Sequence, residues 1–214
     1  PYLRLEAKQQ ADWIGIRHLE CKTNELENPE YQKNPKNRCF ACKQELHIQL
    51  AAIAKEAEGA QVVDGVNHDD LMDYRPGIQA AIKAGVKSPL AELKIDKATV
   101  RQISQAIGLP WWNKPAQPCL ASRFPYGEKI NSDRLNKIAK AETWLKNKGY
   151  EVVRVRMYGD SAKIEVPIER IEEFVIDKNR KLLLEFFFSI GFNSVSIDLE
   201  GIVKGKLNRV LKAY

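Results

Sequence analysis

Four cysteines, at positions 21, 39, 42 and 119, are the residues of this 214-residue sequence with the widest chemical reach. Two of them form Cys39-Phe40-Ala41-Cys42, a CxxC at the expected start of a helix. That spacing puts both sulfurs on one side, and a helix N-terminus lowers the pKa of a thiol beside it. Zinc, an iron–sulfur cluster, a redox dithiol and two unrelated buried cysteines all remain compatible with the CxxC alone. Cys119 lies in Gln117-Pro118-Cys119-Leu120-Ala121-Ser122-Arg123, far from any core pattern. If that stretch folds over the Cys39 helix, three thiolates meet. Three cysteines suit a [4Fe–4S] cluster with one open iron. Zinc more often takes a fourth protein ligand, for which His47 and His18 are the candidates. Cys21 falls on an expected short strand and reads as a core residue.

A second group of residues suits anions and metal ions. Arg154 and Arg156 are separated by one residue on an expected strand, so both guanidiniums leave the same face; bidentate phosphate binding is one use, a solvated sheet face the other. Arg123 and Arg75 are further anion-binding candidates on loops. Asp69, Asp70 and Asp73 follow a strand end and could hold Mg²⁺ beside phosphates or form a solvated turn, and Glu142, Glu165 and Glu173 admit the same two readings. No nucleophile–base–acid set of the hydrolase type is visible, and no glycine-rich phosphate loop.

The elements that must position these residues read as follows. Apolar spacing predicts helices over 3–15, 39–58, 77–84, Asp96 to Ile107, 132–148 and 180–190. Strands are expected at Arg17–Lys22, Gln61–Asp64, Val152–Met157, Ala162–Val166 and Ser194–Leu199. The loop Gly65-Val66-Asn67-His68-Asp69-Asp70 then lies at the carboxyl end of a strand, where ligands sit in an open α/β sheet. Asn24 to Asn37 reads as an exposed loop. Pro110 to Gly127 carries four prolines and two tryptophans and cannot be one regular element; a loop of that length inside a compact protein is usually functional. The first part therefore reads as α/β, a parallel sheet with helices on both faces. After a boundary near residue 130, a helix followed by β-β-α-β order predicts a small α+β domain of a ferredoxin-like kind.

The formal charge of +6 points to anionic ligands, but the Lys and Arg residues are scattered and form no block, so specific nucleic-acid binding is not expected. The first residues resemble no signal peptide, no apolar run approaches a membrane span, and a cytoplasmic enzyme without a disulfide framework is the expectation.

Taken together, Arg38-Cys39-Phe40-Ala41-Cys42-Lys43, Asp64-Gly65-Val66-Asn67-His68-Asp69-Asp70, Asp73-Tyr74-Arg75-Pro76-Gly77 and Ser88-Pro89-Leu90-Ala91-Glu92-Leu93 resemble the middle of a PP-loop ATP-pyrophosphatase. The stretch from Lys114 to Gly127, continued by Val153-Arg154-Val155-Arg156 and Ala162-Lys163-Ile164-Glu165, resembles the LarE type, sulfur transferases that make pyridinium-3,5-bisthiocarboxylic acid mononucleotide. The resemblance implies a PP-loop domain over 1–130 and a small substrate-binding or oligomerisation domain over 131–214. It implies adenylation of a carboxylate of a pyridinium biscarboxylate mononucleotide by ATP and Mg²⁺, then sulfur attack, giving a thiocarboxylate for a nickel-pincer cofactor. Cys39, Cys42 and Cys119 would be ligands of a [4Fe–4S] cluster supplied by a sulfide donor. Ser122, Arg123, Arg154 and Arg156 would bind substrate phosphate, with Glu142 and Glu173 as phosphate-site or metal partners. Gly65, Asp69 and Arg75 would serve the nucleotide, and a homo-oligomer is expected. The sequence departs from that pattern in having no Ser-Gly-Gly-x-Asp-Ser loop; its first residues match a helix that follows that loop, so a piece of a longer protein, lacking half its nucleotide site, is the expectation. A tRNA thiolation enzyme of the same class and a structural zinc module are the rival readings.

Overall fold

The computed structural model describes residues 2–211. The spacing of Leu3, Ala7, Ala11 and Ile14 is realised as α1, Tyr2–Ile14, which Gly15 ends with a φ of +79°. The strand expected at Arg17–Lys22 does not form. A strand needs a ladder partner and a covered face, and here Ile16 and Leu19 are exposed and Glu20 is tied back to Arg4 of α1. Cys21, expected in a core, is at the surface.

The Asn24–Asn37 stretch is not the exposed loop its composition predicts. It opens with a 3₁₀ turn at Glu25–Glu27 and the short α2, Pro29–Gln32, whose first turn is capped by the Asn28 side chain. Tyr31 and Asn34 are buried. Asn34 adopts a left-handed φ of +51°, a conformation asparagine tolerates better than most residues. Its amide donates to the Pro125 carbonyl at 2.6 Å, its side-chain oxygen accepts from Arg38 Nη1 at 2.6 Å, and its carbonyl accepts from Gly127 N at 2.9 Å. One buried asparagine thus joins the polar stretch to the proline-rich loop ninety-one residues on.

α3, Arg38–Glu56, carries the CxxC in its first turns. It packs against α4, Pro76–Lys83, so closely that a Cβ on Gly77 would stand 2.9 Å from Lys43 Cγ. α5, Pro89–Glu92, and α6, Lys97–Ala106, follow, the latter capped by Asp96, which accepts from Thr99 N at 2.7 Å. The expected strand at Gln61–Asp64 is reduced to a single parallel pairing of Val63 with Lys87, where Asp64 N donates to Lys87 O and Lys87 N to Val62 O. The parallel sheet with helices on both faces is therefore seen in the described residues only as this bridge; Val63 is 59% exposed, so the pairing has no covered face to extend on.

The later elements agree with the sequence: α7 is Ser132–Asn147, β1 Arg154–Tyr158, β2 Ser161–Glu165, α8 Asp177–Ser189 and β3 Ser194–Ile197. β1 pairs antiparallel with β2, and β2 parallel with β3, in the order β1-β2-β3. The whole is a mixed helix and strand architecture with a small sheet. Ile138, Leu145, Val155, Met157, Ile164 and Phe187 form its dry core, joined by Tyr31, Ala121 and Phe124 from the loops. Among the described residues, no helix is long and apolar enough to cross a membrane.

Candidate functional site

Three thiols lie in one neighbourhood at the N-terminal end of α3, within reach of one another's charge. Cys39 and Cys42 come from its first two turns, and Cys119 from the proline-rich loop, at the entrance to the 3₁₀ turn Leu120–Arg123. The charge of Cys119 acts on both Cys39 and Cys42, and Cys42 and Cys119 both act on the buried Tyr31. Contrary to the expectation from the helix N-terminus, burial pushes the Cys39 thiol up and raises Cys42 to about 11. Desolvation outweighs the helix dipole and the nearby cations Arg38 and Lys43. Cys42 gains a further push from Glu25, a residue that nothing in the sequence singles out. Among the described residues, no three His, Cys, Asp or Glu side chains form a ready ligand set as they stand. What a metal centre could draw on here is donor chemistry: three soft sulfurs within reach of one another's charge. His47 does not belong to this group. It stands about 12 Å along α3 from Cys39, buried, with Lys43 and Asp64 as its charged neighbours. His18 lies beside Glu20 on the segment after α1.

Next to the thiols runs a groove of about 490 Å³, lined by Cys119, Pro118, Lys114, Arg123, Glu142 and Arg154 among others. Lys114 pairs with Glu6, and Trp111 meets Trp13 edge-on at 6.4 Å, so α1 forms part of the rim. At its floor Arg123 and Glu142 make a buried two-point ion pair, Nε–Oε1 at 2.7 Å and Nη2–Oε2 at 3.1 Å. Glu142 Oε1 also accepts from Val155 N at 3.0 Å, and Arg123 Nη1 donates to the Pro118 carbonyl at 3.1 Å. α7 and β1 thereby fix the loop that carries Cys119.

Arg154 and Arg156 share a strand face, but they are used differently. Arg156 is buried, donating to Glu165 Oε1 at 2.5 Å and to the Ser122 carbonyl at 3.1 Å. Arg154 is half-buried and has no ion-pair or hydrogen-bond partner among the described residues. Burial, with Arg123 and Arg156 close by, presses its pKa below the ordinary guanidinium value. A cation held in that state favours an anionic ligand.

The other expected site residues are engaged inside the protein. Ser122 Oγ donates to the Cys119 carbonyl at 2.7 Å and accepts from Arg123. Glu173 is not among the residues lining the groove and is paired with Arg170 at 2.7 and 2.8 Å. Asp69 accepts from Lys97 N at the start of α6, and Arg75 pairs with Asp70 at 2.8 Å. Gly65 faces open space at the end of the Val63 bridge. Arg75 is near enough for its charge to lower the Cys39 thiol, which places the Asp70–Arg75 corner beside the first thiol.

No family model matches the chain. The sequence is 55% identical over 206 residues to an uncharacterized protein of Synechocystis sp., a match that covers 96% of this chain and 77% of that one. It is 34% identical over 206 residues, again 96% of this chain and 74% of the relative, to the pyridinium-3,5-bisthiocarboxylic acid mononucleotide synthase of Lactiplantibacillus plantarum. A third relative, an uncharacterized protein of Methanocaldococcus jannaschii, is 32% identical over 78% of this chain and 65% of its own length. A match of that identity running almost end to end through the thiols, the groove and β1 places this chain in the family of the pyridinium-3,5-bisthiocarboxylic acid mononucleotide synthase.

Proposed function

We propose that the protein is an ATP-dependent, PP-loop sulfur transferase that converts a carboxylate of a pyridinium biscarboxylate mononucleotide into a thiocarboxylate for a nickel-pincer cofactor. The observation that carries this reading is the unpaired, half-buried Arg154 in the same groove as Cys119. It supports a phosphate-bearing substrate whose reacting group lies toward a thiol. In the reaction a carboxylate oxygen attacks the α-phosphorus of ATP, and pyrophosphate leaves. Sulfur then attacks the acyl carbon, and AMP departs with that oxygen. Arg154 is read as holding the substrate phosphate, with Arg123 and Ser122 supporting it. The Arg123–Glu142 pair keeps the Cys119 loop in register with that grip. A [4Fe–4S] cluster, if held by Cys39, Cys42 and Cys119, would present a sulfide taken from an external sulfide donor as the nucleophile, so that neither a cysteine nor the cluster's own sulfur is consumed.

The test is binding. The mononucleotide should bind the chain, and its dephosphorylated nucleoside should bind on the order of a hundredfold more weakly. Arg154→Gln should weaken the mononucleotide by about 1.5–3 kcal/mol, the range for a charge-assisted hydrogen bond, and leave the nucleoside unaffected. Equal binding of the two ligands, or an Arg154→Gln loss that is the same for both, refutes the assignment of the phosphate to this groove.

A further inference from the structure

The groove that holds Arg154 also has an aromatic wall, the half-buried Trp111. Trp111 lies at the head of the proline-rich loop, where its carbonyl accepts from Lys114 N at 3.0 Å. Two ties to α1 fix this turn. The Lys114 ammonium pairs with Glu6, and the Trp111 indole meets Trp13 with 6.4 Å between ring centroids and 86° between planes. A contact of that geometry covers at most one face of the Trp111 ring. Among the described residues, no further ring and no cation is stacked on it. Leu3, Pro115 and Val152 line the groove as well, so a flat ligand meets a largely apolar surface there. Two of the cations in the lining, Lys114 and Arg123, are answered by Glu6 and Glu142, whereas Arg154 is not answered. The groove thus offers one cation in need of an anion and one indole. The face of an indole carries negative electrostatic potential, so it prefers a flat cation to a flat neutral ring. A volume of about 490 Å³ is within the range for a small organic ligand.

We propose that Trp111 is a specificity-determining residue, the platform on which the positively charged pyridinium ring of the substrate lies while Arg154 holds its phosphate. The inference rests on the reading of Arg154 as the phosphate anchor. It divides recognition between two ends of one groove: Arg154 senses that the ligand is a phosphate ester, and Trp111 senses that its ring is a cation. A neutral ring of the same outline keeps its van der Waals contact with the indole and loses the electrostatic attraction. Nucleotides with uncharged bases share the phosphate but not the ring charge, and the groove discriminates against them on that ground.

The experiment is calorimetric binding of two ligands that differ in ring charge. One is the pyridinium biscarboxylate mononucleotide, and the other is the same molecule with its ring reduced to the uncharged dihydropyridine. The wild-type chain should bind the cationic form about tenfold more tightly, the middle of the span for a partly desolvated cation–π contact. Trp111→Leu should bring the two affinities to within about twofold of each other, and Trp111→Phe, a weaker cation–π partner, should leave a ratio of about threefold. A ratio of affinities separates ring recognition from a merely structural role, because a damaged groove weakens both ligands alike. If Trp111→Leu loses its fold by circular dichroism, Trp111→Phe decides: a reduced ratio supports the platform and an unchanged one overturns it. A wild-type ratio near one, or a ratio that Trp111→Leu leaves unchanged, overturns the role of Trp111 alone, provided that Arg154→Gln still weakens the mononucleotide. No binding of the mononucleotide to the wild type, or binding indifferent to Arg154→Gln, overturns the phosphate reading and the Trp111 platform together.

Discussion

Replacing Glu142 by alanine isolates the contact that holds the Cys119 loop. The Arg123 and Glu142 side chains are 6% and 7% exposed, joined at two points, and Glu142 also takes the Val155 amide of β1. Glu142→Ala leaves a buried guanidinium without its counter-charge, which costs about 3–5 kcal/mol. The orphaned Val155 N–H falls within that range or adds to it. For a chain of this length the melting temperature should fall on the order of 10 °C. Glu142→Gln keeps an acceptor for Val155 and loses only the charge, so it should lie between. The double variant Arg123→Met/Glu142→Leu removes both charges and should recover most of the loss. By contrast, breaking the Lys8–Asp12 pair, 58% and 60% exposed, should cost no more than about 0.5 kcal/mol. Urea unfolding midpoints with constant m-values measure all five proteins. A Glu142→Ala loss below about 1 kcal/mol, or a double variant no better than the single one, would show that the pair is not desolvated, and the reasoning fails.

Two further outcomes follow from the same geometry. With its pKa raised to about 11, Cys42 is protonated at neutral pH in the metal-free protein, so its alkylation by iodoacetamide should speed up about tenfold per pH unit well beyond pH 9. The folded state then holds a proton that the unfolded state, with an ordinary thiol pKa of about 8.5, has already released. Stability is fully present below pH 8.5 and declines as pH rises toward 11, and Cys42→Ser should flatten that decline in denaturation curves taken across the range. Asn34→Ala should cost about 3 kcal/mol or more, because alanine resists a φ of +51° and because Arg38 and the Pro125 carbonyl lose their partner. Asn34→Gly should recover only the backbone share, about 1 kcal/mol, and an equal loss in the two variants by urea titration would contradict this division.

Much of the local architecture was legible because single residues decide it. Gly15, Gly149 and Asp96 mark helix ends that the structure keeps, and the alternation of Val and Arg through residues 152–157 marks β1. The same alternation misstates the surroundings. Arg156, which reads as either a phosphate ligand or part of a solvated face, is 6% exposed, because Glu165 and the Ser122 carbonyl replace water around it. Composition fails in the same way at Asn24–Asn37, where the polar side chain of Asn34 is fully buried by partners ninety residues away. At Arg17–Lys22 the intrinsic strand preference has no ladder to join. The nearness of Cys119 to the CxxC, by contrast, was expected only if the proline-rich loop folded back over α3, and the structure brings it within reach of both thiols' charge.

The charge arrangement around β1 separates two roles that the sequence left joined for Glu142, phosphate-site partner and metal ligand. Three guanidiniums, of Arg123, Arg154 and Arg156, meet there, and two carboxylates, of Glu142 and Glu165, answer two of them. Both Glu142 oxygens are occupied, one by Arg123 and the Val155 amide and the other by Arg123. A dication arriving at Glu142 would have to displace Arg123 and then face two buried cations and the half-buried Arg154, which Coulomb repulsion in a partly dry groove opposes. A phosphate meets the opposite situation. It relieves the repulsion that Arg123 and Arg156 exert on Arg154, and it needs no existing bond to break. The charge balance beside Arg154 therefore favours an anion over a lone cation.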